Sequence, residues 1–181
     1  MTPFQKKVFQ ILQIFTQICD QLQLKYFLVC GSALGAIKYG GFVPWDDDVD
    51  VALFRNDYER FCKEAPALLP EQLFLQNFQS DPAFPAIYSK LRNSETACIE
   101  ESVAALPINH GISIDIFPLD GYPTDKKEQE RLERKKAWFV RKLSIPEHVR
   151  GKWYFFCSRK SSFRIIFRCF NSSEVKNFRV L

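Results

Sequence analysis

One short acidic segment constrains the fold of this 181-residue chain more than any other. Asp48 and Asp50 alternate with Val49 and Val51, and apolar residues continue to position 53. Alternation with a period of two is typical of a strand, whose successive side chains point to opposite faces. The two carboxylates therefore share one face about 6–7 Å apart, and burying them without a cation would cost several kcal/mol. The pattern predicts a strand over residues 47–53 that carries a divalent metal ion.

A second alternating segment, ISIDIF at residues 112–117, carries the carboxylate of Asp115. If this strand pairs with the first, a strand separation of about 4.8 Å places Asp115 beside Asp48 and Asp50. Three carboxylates on one face of a sheet can hold one or two Mg²⁺ or Mn²⁺ ions, because these hard cations prefer oxygen ligands. A centre of this kind is suited to in-line displacement at phosphorus.

The small residues Gly31 and Ser32 precede a predicted helix that ends near residue 40. We expect Ser32 to be the N-cap of this helix. The free N–H groups of a helix N-terminus, together with the helix dipole, suit a phosphate group. Lys90 and Arg92 alternate on another predicted strand, where they could neutralise phosphate charge.

Three residues just before the acidic strand have open roles. Asp46 and Asp47 are either supports of the metal ligands, a general base for an acceptor hydroxyl, or simply turn residues. Trp45 is expected to be buried as a core aromatic rather than to form the wall of a donor pocket.

The remaining periodicities predict an α/β (α+β) domain with a small mixed sheet flanked by helices. Pro118 is expected to end the strand that begins at Ile112. Helices are predicted over residues 3–23, 32–39, 56–69, 125–143 and 151–170. Strands are predicted over residues 26–30, 47–53, 73–78, 86–91, 97–100 and 112–117.

The segment GSALGAIKYGGFVPWDDDVDV, residues 31–51, resembles the nucleotidyltransferase fold and, within it, the LicD family, which is related to fukutin-type transferases. YSKLRNSET at residues 88–96 and HGISIDIFPLDGYP at residues 110–123 extend the resemblance. It implies a catalytic core over residues 1–125 and a helical, basic segment over 126–181 that is shorter than is usual in the family.

Members of that family transfer phosphocholine or a polyol phosphate from a CDP-linked donor, such as CDP-choline, to a glycan or glycolipid and release CMP. The resemblance implies that Mg²⁺ or Mn²⁺ is bound by Asp48, Asp50 and Asp115. It assigns the donor phosphates to four further residues: Gly31, Ser32, Lys90 and Arg92. Two alternatives stay open: a nucleotidyltransferase that releases pyrophosphate, and a truncated member without catalytic activity.

Charge is distributed unevenly along the chain. Residues 1–130 contain 11 Lys and Arg against 18 Asp and Glu, whereas residues 131–181 contain 14 against 3. The basic, aromatic segment favours a packing helix, with peripheral membrane contact as the alternative. Nucleic acid is not expected, because no recognition module accompanies the charge. Six cysteines without a CxxC pair, and no signal peptide, predict a cytoplasmic protein, either free or at the inner face of the membrane.

Overall fold

The computed structural model describes residues 1–142, with side chains described up to residue 138. The helix predicted over residues 151–170, and the membrane contact predicted for the basic segment, therefore lie outside the described residues. Within the described part of the chain, no helix is both long and apolar enough to cross a bilayer.

Five strands form one mixed sheet. They are β1 (Tyr26–Leu28), β2 (Asp50–Phe54), β3 (Leu73–Gln76), β4 (Ser89–Asn93) and β5 (Ile112–Leu119). Their spatial order is β1-β2-β5-β4-β3. The β2 and β5 strands run parallel, and the other three neighbouring pairs are antiparallel. The predicted α+β class with a small mixed sheet is confirmed.

Within residues 1–142, four α-helices accompany the sheet: α1 (Pro3–Gln21), α2 (Cys30–Tyr39), α3 (Arg55–Glu64) and α4 (Lys126–Lys142). Short 3₁₀ turns cover Ala65–Ala67 and Glu101–Val103. A capping box starts α1: the N–H of Gln5 donates to Thr2 Oγ1 at 3.1 Å, and the N–H of Thr2 donates to Gln5 Oε1 at 2.8 Å.

The main hydrophobic core lies on one face of the sheet, against the apolar stripe of α1 and the inner side of α3. Along β2 and β5 this face is formed by alternate residues, such as Val51, Leu53, Ile114 and Ile116, all fully buried. Each such side chain contributes about 1.5–3 kcal/mol through burial. The intervening residues, which include Asp50 and Asp115, consequently lie on the opposite face.

Several predicted strands differ from the structure, either in their bounds or in whether they form at all. The β2 strand begins at Asp50 rather than at residue 47, and no strand forms over residues 97–100. The β5 strand continues through Pro118, which was expected to end it. Its neighbour β4 pairs with β5 only as far as Ile116. Because Pro118 has a partner strand on one side only, its missing N–H costs no ladder bond there.

Candidate active site

Two carboxylates lie side by side on the face of the sheet that is opposite the main core. Asp50 on β2 and Asp115 on β5 are Cα partners in the parallel register. The N–H of Asp115 donates to the carbonyl of Val49 at 2.9 Å, and the N–H of Val29 donates to the carbonyl of Asp50 at 3.1 Å. Backbone hydrogen bonds thus fix both aspartates at adjacent positions of neighbouring strands, which are about 4.8 Å apart.

The third predicted ligand, Asp48, precedes β2 and is exposed. The negative charge of Asp48 acts on the thiol of Cys30, the first residue of α2. Desolvation of the sulfur, and then the negative charges of Asp50, Asp48 and Asp115, raise the pKa of the Cys30 thiol to about 12. All three carboxylates therefore act on one point at the start of α2.

Ser32 has a different role from the predicted one. The helix begins two residues earlier, at Cys30, with Val29 as its N-cap and no side-chain cap. Cys30 itself has a left-handed backbone conformation with φ of 52°. Ser32 lies inside the first turn, is 7% exposed, and accepts a hydrogen bond at 2.8 Å from the N–H of Asp50. The hydroxyl therefore ties the helix to the acidic strand.

The first turn of α2 nevertheless offers a helix N-terminus to the site. The first intrahelical hydrogen bond runs from the N–H of Ala33 to the carbonyl of Val29, at 3.1 Å. The N–H groups of the three preceding residues (Cys30, Gly31 and Ser32) lie ahead of this bond, at the positive end of the helix dipole. This is the kind of position at which proteins bind phosphate.

Gly31 lies against the carboxylate of Asp46. A Cβ atom at this position would lie 2.5 Å from Oδ2 of Asp46. The backbone of Asp46 is held in turn by α1, because Gln5 Nε2 donates to its carbonyl at 2.7 Å. Asp46 is half-buried beside the first turn of α2, whereas Asp47 is exposed.

Lys90 on β4 contacts carboxylates in this structure. It is a Cα partner of Asp115, and its ammonium nitrogen lies 2.8 Å from Asp115 Oδ1 and 3.3 Å from Glu100 Oε1. The side chain is only 9% exposed. Burial acts to lower the pKa of Lys90, but Asp115 and Glu100 raise it above its ordinary value. A buried positive charge is therefore part of the site.

Arg92 shares the face of Lys90 but makes other contacts. Its Nε donates to Gln76 Oε1 in a short hydrogen bond, and one terminal nitrogen donates to the carbonyl of Gly111 at 2.7 Å. The residue is almost completely buried, and this burial lowers the pKa of the Arg92 guanidinium. These bonds link β4 to β3 and to the residue that precedes β5.

Trp45 is not buried as expected: it is 80% exposed. It packs edge-on against Tyr39 at the end of α2, with ring centroids 6.2 Å apart. The indole therefore lies outside the core, although Val43 and Val49 of the same segment are buried.

Two residues of the site were missed from the sequence. Glu100 reaches Lys90 from the loop before a 3₁₀ turn, and Tyr88 lies just before β4. Burial, followed by the charges of Asp115 and Glu100, raises the pKa of the Tyr88 hydroxyl. Glu100 belongs to no alternating pattern, so no local signal in the sequence singles it out, whereas Tyr88 alternates with Lys90 and Arg92 and could have been found from that pattern.

The donor chemistry of the site suits a hard divalent cation. The oxygens of Asp48, Asp50 and Asp115 are the ligands that Mg²⁺ and Mn²⁺ prefer. Within the described residues, however, the structure contains no group of three or more His, Cys, Asp or Glu side chains that could hold a metal ion. Asp115 is occupied by the Lys90 ammonium instead.

Comparisons with known proteins show the family to which the chain belongs. A family model described as LicD/FKTN/FKRP, nucleotidyltransferase domain, matches residues 23–150. The lipopolysaccharide cholinephosphotransferase LicD of Haemophilus influenzae is 31% identical over 117 residues, which cover 65% of this chain and 43% of that protein. An uncharacterised protein of Rickettsia prowazekii is 28% identical over 117 residues, 64% of this chain and 40% of that protein. The aligned part of the chain thus spans less than half the length of these relatives.

Proposed function

Because the chain belongs to the LicD family, with its nucleotidyltransferase domain, we propose that it transfers a phospho-substituent from a CDP-activated donor to a hydroxyl of a cell-surface glycan. Phosphocholine is the proposed substituent, since one relative is a lipopolysaccharide cholinephosphotransferase. The observation that carries the proposal is the pairing of Asp50 with Asp115 on parallel neighbours, tied to the first turn of α2 through Ser32.

In this proposal the donor diphosphate lies between the first turn of α2 and the aspartates. The N–H groups of Cys30, Gly31 and Ser32 bind phosphate oxygens. Asp48, Asp50 and Asp115 would hold Mg²⁺ or Mn²⁺, which when bound neutralises the charge of the phosphates. The hydrogen bond from Asp50 to Ser32 keeps the helix N-terminus and the acidic strand in register.

The proposed reaction exchanges one phosphorus–oxygen bond for another. The acceptor hydroxyl oxygen forms a bond to the distal phosphorus of the donor, and the bond from that phosphorus to the bridging oxygen breaks. CMP leaves with the electron pair of that bond. The hydroxyl proton passes to a carboxylate, for which Asp46 and Asp47 are the candidates. Lys90 and Arg92 supply positive charge from the sheet.

The proposed partners are a CDP-linked donor, with CDP-choline and CDP-polyols as the candidates, and a glycan or glycolipid acceptor. A donor made inside the cell places the reaction in the cytoplasm, and a lipid-linked acceptor would bring the protein to the inner face of the membrane. Contact with that surface is proposed for the basic segment beyond residue 142.

The full 181-residue chain can be tested with CDP-choline, Mn²⁺ and delipidated lipopolysaccharide, with the nucleotide product separated by chromatography. We expect acceptor-dependent CMP, and we expect Asp50→Asn to lower its rate by at least about 100-fold. A parallel reaction with CTP and phosphocholine tests the alternative, because pyrophosphate there would indicate nucleotidyl transfer. No product in either reaction, with CDP-ribitol also tried, would identify a member without catalytic activity.

A further inference from the structure

The buried ammonium of Lys90 lies between two carboxylates that differ in their surroundings. Asp115 belongs to the sheet and its side chain is 12% exposed, whereas Glu100 belongs to a loop and its side chain is 41% exposed. The ammonium is nearer to Asp115, at 2.8 Å, than to Glu100, at 3.3 Å. The lysine is therefore bound mainly to the aspartate that the proposed function assigns to a metal ion.

A divalent cation and an ammonium group compete for the same carboxylate. Asp50 and Asp115 are neighbours in the register, so their negative charges repel each other unless a cation compensates them. In the structure the Lys90 ammonium supplies that positive charge at Asp115. A metal ion bound to both aspartates would replace it, and two cations at one carboxylate would repel each other in turn.

Lys90 cannot simply move into water when it leaves Asp115. Its side chain is buried along β4, and Tyr88 lies beneath its nitrogen, 5.9 Å from the ring centroid. A buried ammonium without a carboxylate partner is strongly unfavourable. The second partner is already within reach, because Glu100 lies 3.3 Å away.

We propose that Glu100 is a positioning residue, which takes over the Lys90 ammonium when a divalent cation binds Asp115. This inference rests on the proposed function, and it adds a loop residue to the site that the alternating acidic strands do not contain. Glu100 makes Asp115 available as a ligand without leaving a buried charge uncompensated.

The test compares Mn²⁺ binding by the full chain and by Glu100→Gln, measured by titration calorimetry and by the electron paramagnetic resonance signal of free Mn²⁺. The amide has nearly the shape of the carboxylate but cannot compensate the ammonium. We therefore expect Mn²⁺ affinity to fall at least about tenfold. The matched control is Glu101→Gln, an exposed neighbour, whose affinity should equal that of the unmodified chain.

A second background separates positioning from a direct contact. In Lys90→Met no ammonium competes for Asp115, so adding Glu100→Gln should change Mn²⁺ affinity less than about twofold. Equal affinities for Glu100→Gln and the unmodified chain would overturn the inference while leaving the proposed function intact. An undiminished effect of Glu100→Gln in the Lys90→Met background would also overturn it, because Glu100 would then act on the metal directly. The inference would also be overturned if the unmodified chain released CMP without binding Mn²⁺.

Discussion

The hydrogen bond between Ser32 and Asp50 links the helix N-terminus to the acidic strand, and its removal should be measurable in stability. Ser32→Ala leaves the N–H of Asp50 without its acceptor at 2.8 Å. An unsatisfied buried donor costs about 1–3 kcal/mol. Because Asp50 is half-buried, we expect the lower part of this range, about 1–2 kcal/mol. For a chain of this size that lowers Tm by about 2–8 °C.

Urea unfolding followed by circular dichroism gives the free energy of unfolding directly, and thermal unfolding gives Tm. The matched control is Ser102→Ala, because the Ser102 hydroxyl is buried and has no hydrogen-bond partner within the described residues. Its loss should change stability by less than about 0.5 kcal/mol. If Ser32→Ala were as stable as the unmodified chain, or if both serine variants lost the same amount, the link between α2 and β2 would not contribute as argued.

Three further predictions concern single groups. Tyr26→Phe should leave stability unchanged or raise it by up to about 1 kcal/mol in urea unfolding, because the buried Tyr26 hydroxyl has no partner within the described residues; a loss above that size would contradict this. Cys30 is exposed, but the pKa of its thiol is raised to about 12. Mass spectrometry should therefore show that iodoacetamide labels Cys30 at pH 8 at least about tenfold more slowly than it labels free cysteine. Labelling of Cys30 should be faster in Asp50→Asn than in the unmodified chain. Asp120→Asn should lower the free energy of unfolding by less than about 1 kcal/mol, since the side chains of Arg55 and Asp120 are exposed. Because the hydrogen bond from Arg55 lowers the pKa of Asp120, this contribution is present above the ordinary pKa near 3.9 and is lost as pH falls through the lowered value. Denaturant unfolding at several pH values would show this loss.

The sequence predicts the two acidic strands because their signal is local, although it begins β2 at residue 47 rather than at Asp50. Val49 and Val51 beside Asp50, and the isoleucines beside Asp115, show a period of two that only a strand satisfies. The same alternation separates the core face from the polar face. The sequence does not show that the two strands pair with each other. The structure shows this pairing in the parallel register of β2 and β5.

Other features depend on contacts between distant segments. Ser32 looks like an N-cap, but the left-handed conformation of Cys30 starts the helix two residues earlier. Such a conformation is uncommon for a residue other than glycine, so no propensity predicts it. Lys90 looks like a phosphate ligand, but it is paired with Asp115 and with Glu100, ten residues further along the chain. Trp45 looks like a core residue, but it is exposed and packs only edge-on against Tyr39 among the aromatic contacts of the described residues.

We propose that the aspartates on β2 and β5 and the first turn of α2 form one cation-dependent donor site. Calorimetric titration of the full chain with CDP-choline, with and without Mn²⁺, tests it most directly, and Asp115→Asn is the companion variant. We expect binding that requires Mn²⁺ and weakens at least about tenfold in Asp115→Asn. Equal affinity with and without Mn²⁺, or an unchanged affinity in the variant, would contradict it.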